Sequence, residues 1–145
     1  MGLVRFGVSL EDVLLVNFDD YIKEKGYPTR SKAISDLIRE ALVKEEWRGQ
    51  ENVAGAVTLI YDHHRRELVN KLTDIQHDFY KIIISSQHAH LDHNNCLEVV
   101  VVKGDPEEIK KLANRLKSTK GVKHSVLTMT TIGKEAGKEI SKIVS

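Results

Sequence analysis

Four histidines and the only cysteine of the chain fall within twenty residues: His77, His88, His90, His93 and Cys96. Three imidazoles and a thiolate form a complete four-donor set, of a softness suited to Ni(II), Cu or Zn. His88 and His90 are two apart, so on a strand both rings point to one face. Cys96 opens the next strand after the polar turn 92–95, within hairpin reach of that pair, and His77 lies near the end of the preceding helix. A strand H-x-H by itself is often inconsequential surface, and the lone cysteine at hairpin distance is what makes it a metal constellation. His93 is expected to be a solvated loop residue, and His63-His64, at a strand-to-helix junction, to serve as cap or surface. A tetrahedral N/S set suits structural zinc as well, so ligand identity leaves the metal open. The spacing equally permits one chain or two to complete the set.

Two rival readings share these ligands. A small metallohydrolase built on His88, His90 and a water needs an open coordination position and a general base. Four protein donors leave no such position, and no Ser/His/Asp arrangement or Gly-rich phosphate loop accompanies them. A metal-storage or delivery protein would use the same ligands without a DNA reader.

The elements that must position these donors follow from periodicity. Residues 53–61 suggest a strand, 64–79 a helix, 80–91 a strand, 96–103 another strand, 106–117 a helix and 122–131 a final strand. Asp105-Pro106 supplies an N-cap and an N1 proline for the second of these helices. The order βαββαβ predicts a ferredoxin-like domain over residues 53–133, an antiparallel sheet with two helices on one face. The fold class is therefore α+β. Residues 134–145 form a short charged tail.

Residues 1–50 read differently. Phe6, Val8 and Leu10 alternate with Arg5, Gly7 and Ser9, which predicts a short strand over 4–9. Ser9 then opens a helix in a capping-box-like spacing with Asp12, with the stripe Leu10, Leu14, Phe18, Tyr21 and Ile22, and Gly26 stops it. Thr29 or Ser31 caps a second helix with Ile34, Leu37, Ile38, Ala41 and Leu42 on one face, ending in the charged stretch 44–48. Gly49, Gln50 and Asn52 form a linker. One strand and two helices of this length cannot bury a core alone. A lone strand with an apolar face asks for a partner strand from a second chain, giving a two-stranded ribbon over four helices. Such ribbons enter the DNA major groove, where Arg5 can grip guanine, Ser9 can donate or accept, and Gly7 lets the backbone come close. The helix start at Thr29, Arg30 and Ser31 offers free N–H groups to a phosphate. The same strand and helices would also serve a plain dimerisation arm.

Bulk properties set bounds without choosing. Apolar residues make up 41% and charged residues 30% of the 145, as in a soluble globular protein. Net charge is +1, and residues 1–50 hold eight Lys/Arg against nine Asp/Glu, so a DNA claim rests on individual basic groups rather than on charge. No apolar run is long enough to span a bilayer, no secretory signal is visible, and a single cysteine fits a reducing compartment, so a cytoplasmic protein without a membrane partner is expected.

These motifs together resemble the nickel-responsive regulator family NikR over about residues 3–132. The resemblance is carried by Arg30-Ser31-Lys32-Ala33-Ile34 opening the second helix, Gln76-His77, His88-x-His90-x-x-His93-x-x-Cys96-Leu97-Glu98, Lys103-Gly104-Asp105 and Gly121-Val122-x-His124. It implies an N-terminal ribbon-helix-helix (βαα) intertwined dimer flanking a tetrameric core, a dimer of dimers, of ACT-like domains. It implies a repressor of nickel uptake with Ni(II) as corepressor, acting on palindromic half-sites of double-stranded operator DNA. The implied ligands are His88, His90 and Cys96 of one chain plus His77 of another, in a square-planar site. Tyr61 and Glu98 are implied to steady those ligands, Arg65 and Arg66 to meet the DNA backbone, and Arg5, Gly7 and Ser9 to read bases. Two positions depart from the pattern. Lys32 stands where relatives often carry an acidic residue near an interdomain cation site, of which Asp36 remains, and Gly7 replaces a typically polar reader.

Overall fold

The computed structural model describes residues 2–49 and 51–133; the linker residue Gln50 and the tail from Lys134 lie outside the described residues. The chain divides into two compact units, residues 1–40 and 41–145.

In the first unit residues 2–11 carry no regular structure and are exposed, so the strand expected over 4–9 is not formed within one chain. The physical reason is that a strand exists through its ladder partner, and no other segment of this unit is extended. Helix α1 (Asp12–Lys25) begins two residues later than expected: Glu11 rather than Ser9 occupies the N-cap, with φ −62° and ψ 145°. Its end is the expected one. Gly26 adopts φ 76°, and the Gly26 and Tyr27 N–H groups donate to the carbonyls of Lys23 and Ile22, closing a Schellman motif that a β-carbon would strain. Helix α2 (Arg30–Arg48) is capped by Thr29, whose Oγ1 accepts from the Lys32 N–H at 3.1 Å, which decides between the two candidate caps. Within residues 2–40 only Ile22 and Ala33 are buried, whereas Leu3, Val4, Phe6, Val8, Leu14, Leu37 and Ile38 are exposed.

The second unit has the expected α+β architecture. Strands β1 (Val53–Tyr61), β2 (Ile83–His90), β3 (Cys96–Gly104) and β4 (Val122–Thr130) form one antiparallel sheet in the order β2-β3-β1-β4. Helices α3 (Arg66–Asp78) and α4 (Pro106–Ser118) cover one face. That face is set by alternation: Val53, Val57, Leu59 and Tyr61 of β1 and Cys96, Val100 and Val102 of β3 pack with Leu68, Leu72 and Ile75 of α3 and Ile109, Leu112 and Leu116 of α4. Asp105 caps α4 by accepting from the Glu107 N–H, with Pro106 at its start. The end of α2 joins this core through Trp47, 2% exposed, whose Nε1 donates to the Thr130 carbonyl at 2.8 Å. Trp47 lies over Gly55, where a β-carbon would stand 2.6 Å from the Thr128 carbonyl oxygen.

Two boundaries of this unit differ from expectation by more than one residue. Helix α3 starts at Arg66, not at 64, because the Asp62 side chain accepts from the His64 N–H and its carbonyl from the Arg65 N–H, holding 62–65 in a turn. Strand β2 starts at Ile83, not at 80, because successive turns run from His77 to Ile83. No helix among the described residues is long and apolar enough to cross a membrane.

Candidate metal centre

A one-residue irregularity decides what the histidines face. Ile83 pairs with Val102, but Ser85 pairs with Val101, leaving Ile84 as an unpaired, exposed bulge. Without it Ser85, Gln87 and Ala89 would lie opposite Val100, Glu98 and Cys96. With it Ser86, His88 and His90 do. Tyr61 lies opposite Cys96 from the other side, on β1. The bulge thus turns both β2 histidines to the face that carries the thiol.

On that face His88 and Cys96 come together, with Nδ1 3.9 Å from Sγ. Behind them is Glu98, a carboxylate only 2% exposed. Its charge is held by neutral donors: Tyr61 Oη at 2.6 Å on Oε1, and Gln76 Nε2 and Ser86 Oγ, each at 2.8 Å, on Oε2. The other His88 nitrogen, Nε2, stands 3.6 Å from the same Oε2, and Tyr61 Oη is 3.3 Å from His88 Nδ1. Burial, then the hydrogen bond and charge of Glu98, push the Tyr61 phenol far above its usual range, so it stays a donor. Burial first and the Glu98 charge second raise the Cys96 thiol. Tyr61 and Glu98 were expected from resemblance. No sequence pattern marks Ser86 as a partner of this carboxylate, and the only signal for Gln76 is its place next to His77.

The remaining candidates are placed apart. His90 stacks on His63, ring centroids 4.3 Å apart and planes 7° from parallel. His63 also lies 4.3 Å from His64, and His64 5.0 Å from His93, both tilted, so the residues expected as caps or loop surface form a histidine cluster. His63 Nδ1 is buried without a hydrogen-bond partner, and burial, followed by His90 and His64, lowers the His63 pKa. His77 is exposed at the end of α3, its ring 6.3 Å from that of Tyr80. Among the described residues of this one chain, no group of three or more His, Cys, Asp or Glu side chains is gathered to hold a metal ion. The donor chemistry nevertheless fits a soft divalent ion: a thiol and an imidazole nitrogen face each other, and a buried carboxylate lies within reach of the imidazole's second nitrogen.

The DNA candidates are likewise located residue by residue. Arg5, Gly7 and Ser9 are exposed in the segment 2–11, and Ser31 is exposed in the first turn of α2. Arg30 is engaged: its Nε and Nη2 fork onto Asp19 of α1 at 2.9 and 2.8 Å, holding the Asp19 carboxyl below the usual range. Lys32 Nζ lies 2.8 Å from Asp36 Oδ1, so an ammonium already pairs with that carboxylate. Arg65 and Arg66 are exposed where α3 begins.

Residues 54–130 match the family model described as the NikR C-terminal nickel-binding domain. The chain belongs to the NikR family. Over 134 residues it is 57% identical to a protein of Syntrophus aciditrophicus provisionally named a nickel-responsive regulator, covering 92% of this chain and 98% of that one. It is 53% identical to a protein of Pyrococcus furiosus with the same provisional name, covering 93% and 99%. Among solved structures it is similar to an uncharacterized protein from Thermotoga maritima, with a TM-score of 0.51 and 18% identity over 56% of this chain and all of that one, a likeness of fold alone. The NikR family is one of regulators, not enzymes.

Proposed function

We propose that the chain is a cytoplasmic nickel-responsive repressor, which binds operator DNA through its N-terminal unit when Ni(II) occupies the C-terminal domain. The observation that carries the reading is the facing of His88 Nδ1 and Cys96 Sγ in front of a buried carboxylate, on a domain of the NikR nickel-binding type. His88, His90 and Cys96 would hold the ion from one chain and His77 from a second. The exposure of His77, and the lack of a complete donor group among the described residues of a single chain, support that division. Bound there, Ni(II) would supply directional bonds joining ligands of two chains.

The chain's own residues do the rest. Tyr61, Gln76 and Ser86 hold Glu98 in place, and Glu98 is placed to accept from the His88 nitrogen that faces away from the thiol. Helices cover one face of the sheet, and on the other Leu97, Val99, Val101 and Val126 are left as an apolar surface, which supports assembly into a homotetramer. Phe6 and Val8, exposed in the segment 2–11, support a ribbon shared by two chains, with Arg5, Gly7 and Ser9 on its outward face. Two such ribbons read palindromic half-sites, with the α2 start at Thr29 and Ser31, and with Arg65 and Arg66, on phosphates. Arg30 serves as a clamp between α1 and α2 rather than a free phosphate contact, because Asp19 holds its fork. A corepressor works only by binding the DNA-competent arrangement more tightly than the others. Control of nickel uptake genes is the matching physiological role.

The test is a pull-down of genomic fragments on the immobilised full-length chain, with and without Ni(II). A discrete set of fragments sharing a palindrome, retained only with nickel, is expected. Identical retention in both arms, or none in either, overturns the repressor reading and leaves a metal-binding protein.

A further inference from the structure

Gln76 and His77 are consecutive on the last turn of α3, and they face different surroundings. Gln76 is half-buried and donates to Glu98 of its own chain at 2.8 Å, whereas His77 is exposed. We propose that Gln76 is a positioning residue that couples neighbouring nickel sites, tying the hairpin that holds one site to the helix end that completes the next. This rests on the reading that His77 serves the site of a second chain.

The coupling runs through a single oxygen. Glu98 Oε2 accepts from Gln76 and from Ser86, and His88 Nε2 stands 3.6 Å away, just beyond a hydrogen bond. His88 turns Nδ1 toward the thiol. With Nδ1 taken as a ligand, the ring proton must reside on Nε2, and Oε2 is its nearest carboxylate oxygen. Closing that gap adds a charge-assisted bond to Glu98 and fixes the carboxylate more firmly. Gln76 is bonded to the same atom, so the end of α3 is fixed with it, and so is His77. In a two-fold pair each chain offers His77 to the other, so filling one site orders a ligand of the second before any ion arrives there. The second site then binds more readily than the first.

Nickel titration of the full-length protein, read by thiolate-to-nickel absorption, tests this. The parent is expected to bind one ion per chain with a Hill coefficient above 1. Gln76→Leu, which keeps the bulk and removes one donor to Glu98, should still bind one ion per chain, at lower affinity and with a coefficient of about 1. Gln76→Lys, which restores a donor of similar reach, should recover the parent curve. A parent that already titrates as independent sites, or a Gln76→Leu curve shaped like the parent's, overturns the coupling. So does a folded Gln76→Leu that binds no nickel, since Gln76 would then be a condition of the site itself. If Gln76→Leu does not fold, Gln76→Lys decides the matter by retaining or losing the parent's curve. A parent without any thiolate-to-nickel band is a different failure, that of the nickel reading itself.

Discussion

The Tyr61 hydroxyl donates to Glu98 Oε1 at 2.6 Å across the β1–β3 pair, joining two side chains that are both almost wholly buried. Tyr61→Phe keeps the ring and removes one of the three neutral donors that hold a buried carboxylate. The expected cost is about 1–3 kcal/mol of stability, measured by urea unfolding. Because Tyr61 also borders His88, nickel affinity should fall by about 10–100-fold. Unchanged stability and affinity would show that water replaces the hydroxyl and that this bond does not hold the site.

Trp47 is the chain's only tryptophan, so its fluorescence reports the docking of the α2 end on the sheet. Trp47→Ala should cost about 3–5 kcal/mol through the cavity and the lost bond to Thr130. Gly55→Ala should be destabilising as well, since the new methyl meets the Thr128 carbonyl and the indole, and it should shift the emission of Trp47 toward longer wavelength. A Gly55→Ala protein with parental emission and denaturant midpoint would contradict the packing.

The second unit was legible in the sequence because each element there carries its own signal: the alternation in β1, the Asp105-Pro106 cap and the polar turn before Cys96. The first unit was legible only in part. An apolar alternation over 4–9 predicts a strand, but strand pairing depends on a partner segment, and none of the described residues pairs with this one. In the metal centre the residue types were readable and the contacts were not. The H-x-H spacing puts His88 and His90 on a common face but cannot say which one, and the bulge at Ile84 makes that choice. The stack of His63 on His90 joins two segments far apart in sequence, so no local pattern announces it.

The Asp19–Arg30 fork gives a pH signature in the first unit. The guanidinium lowers the Asp19 carboxyl below the usual carboxylate range. The sign follows: the ionised form is favoured by folding, so its contribution is present above the unfolded Asp pKa and is lost as pH falls through the depressed folded value. A carboxyl-shift NMR titration should find Asp19 titrating below the ordinary Asp range, and Arg30→Ala should return it there. Equal midpoints with and without Arg30 would remove the clamp from the account.

Arg5→Ala should lower discrimination between operator and random DNA by about 1–3 kcal/mol per half-site, as one bidentate base contact does. Arg65→Ala should weaken binding to both and flatten the salt dependence, as a phosphate contact does. Competition binding at several salt concentrations separates the two. Loss of affinity for all sequences alike in Arg5→Ala would place that side chain on the backbone and reverse the ribbon's orientation.

The division of the metal site between chains is the most exacting test of the architecture. His77 lies on α3, while His88, His90 and Cys96 belong to the β2–β3 hairpin, and no group of three donors is gathered among the described residues of one chain. A His77→Ala protein and a His88→Ala protein should each lack the high-affinity site. When the two are mixed, unfolded and reassembled, a mixed pair collects both lesions in one site and leaves its other site whole. With random pairing about half of the interfaces are mixed, and one of the two sites at each is intact, so about a quarter of all sites should recover. Nickel titration through the thiolate absorption counts them, and the same count with Cys96→Ser in place of His88→Ala should match, because both residues come from the same chain. Mixing His88→Ala with Cys96→Ser should recover nothing, since every site then carries one lesion or the other in its own hairpin. Zero recovery from the His77→Ala and His88→Ala mixture after verified reassembly would mean that each chain completes its own site, and the linkage between subunits would have to be abandoned.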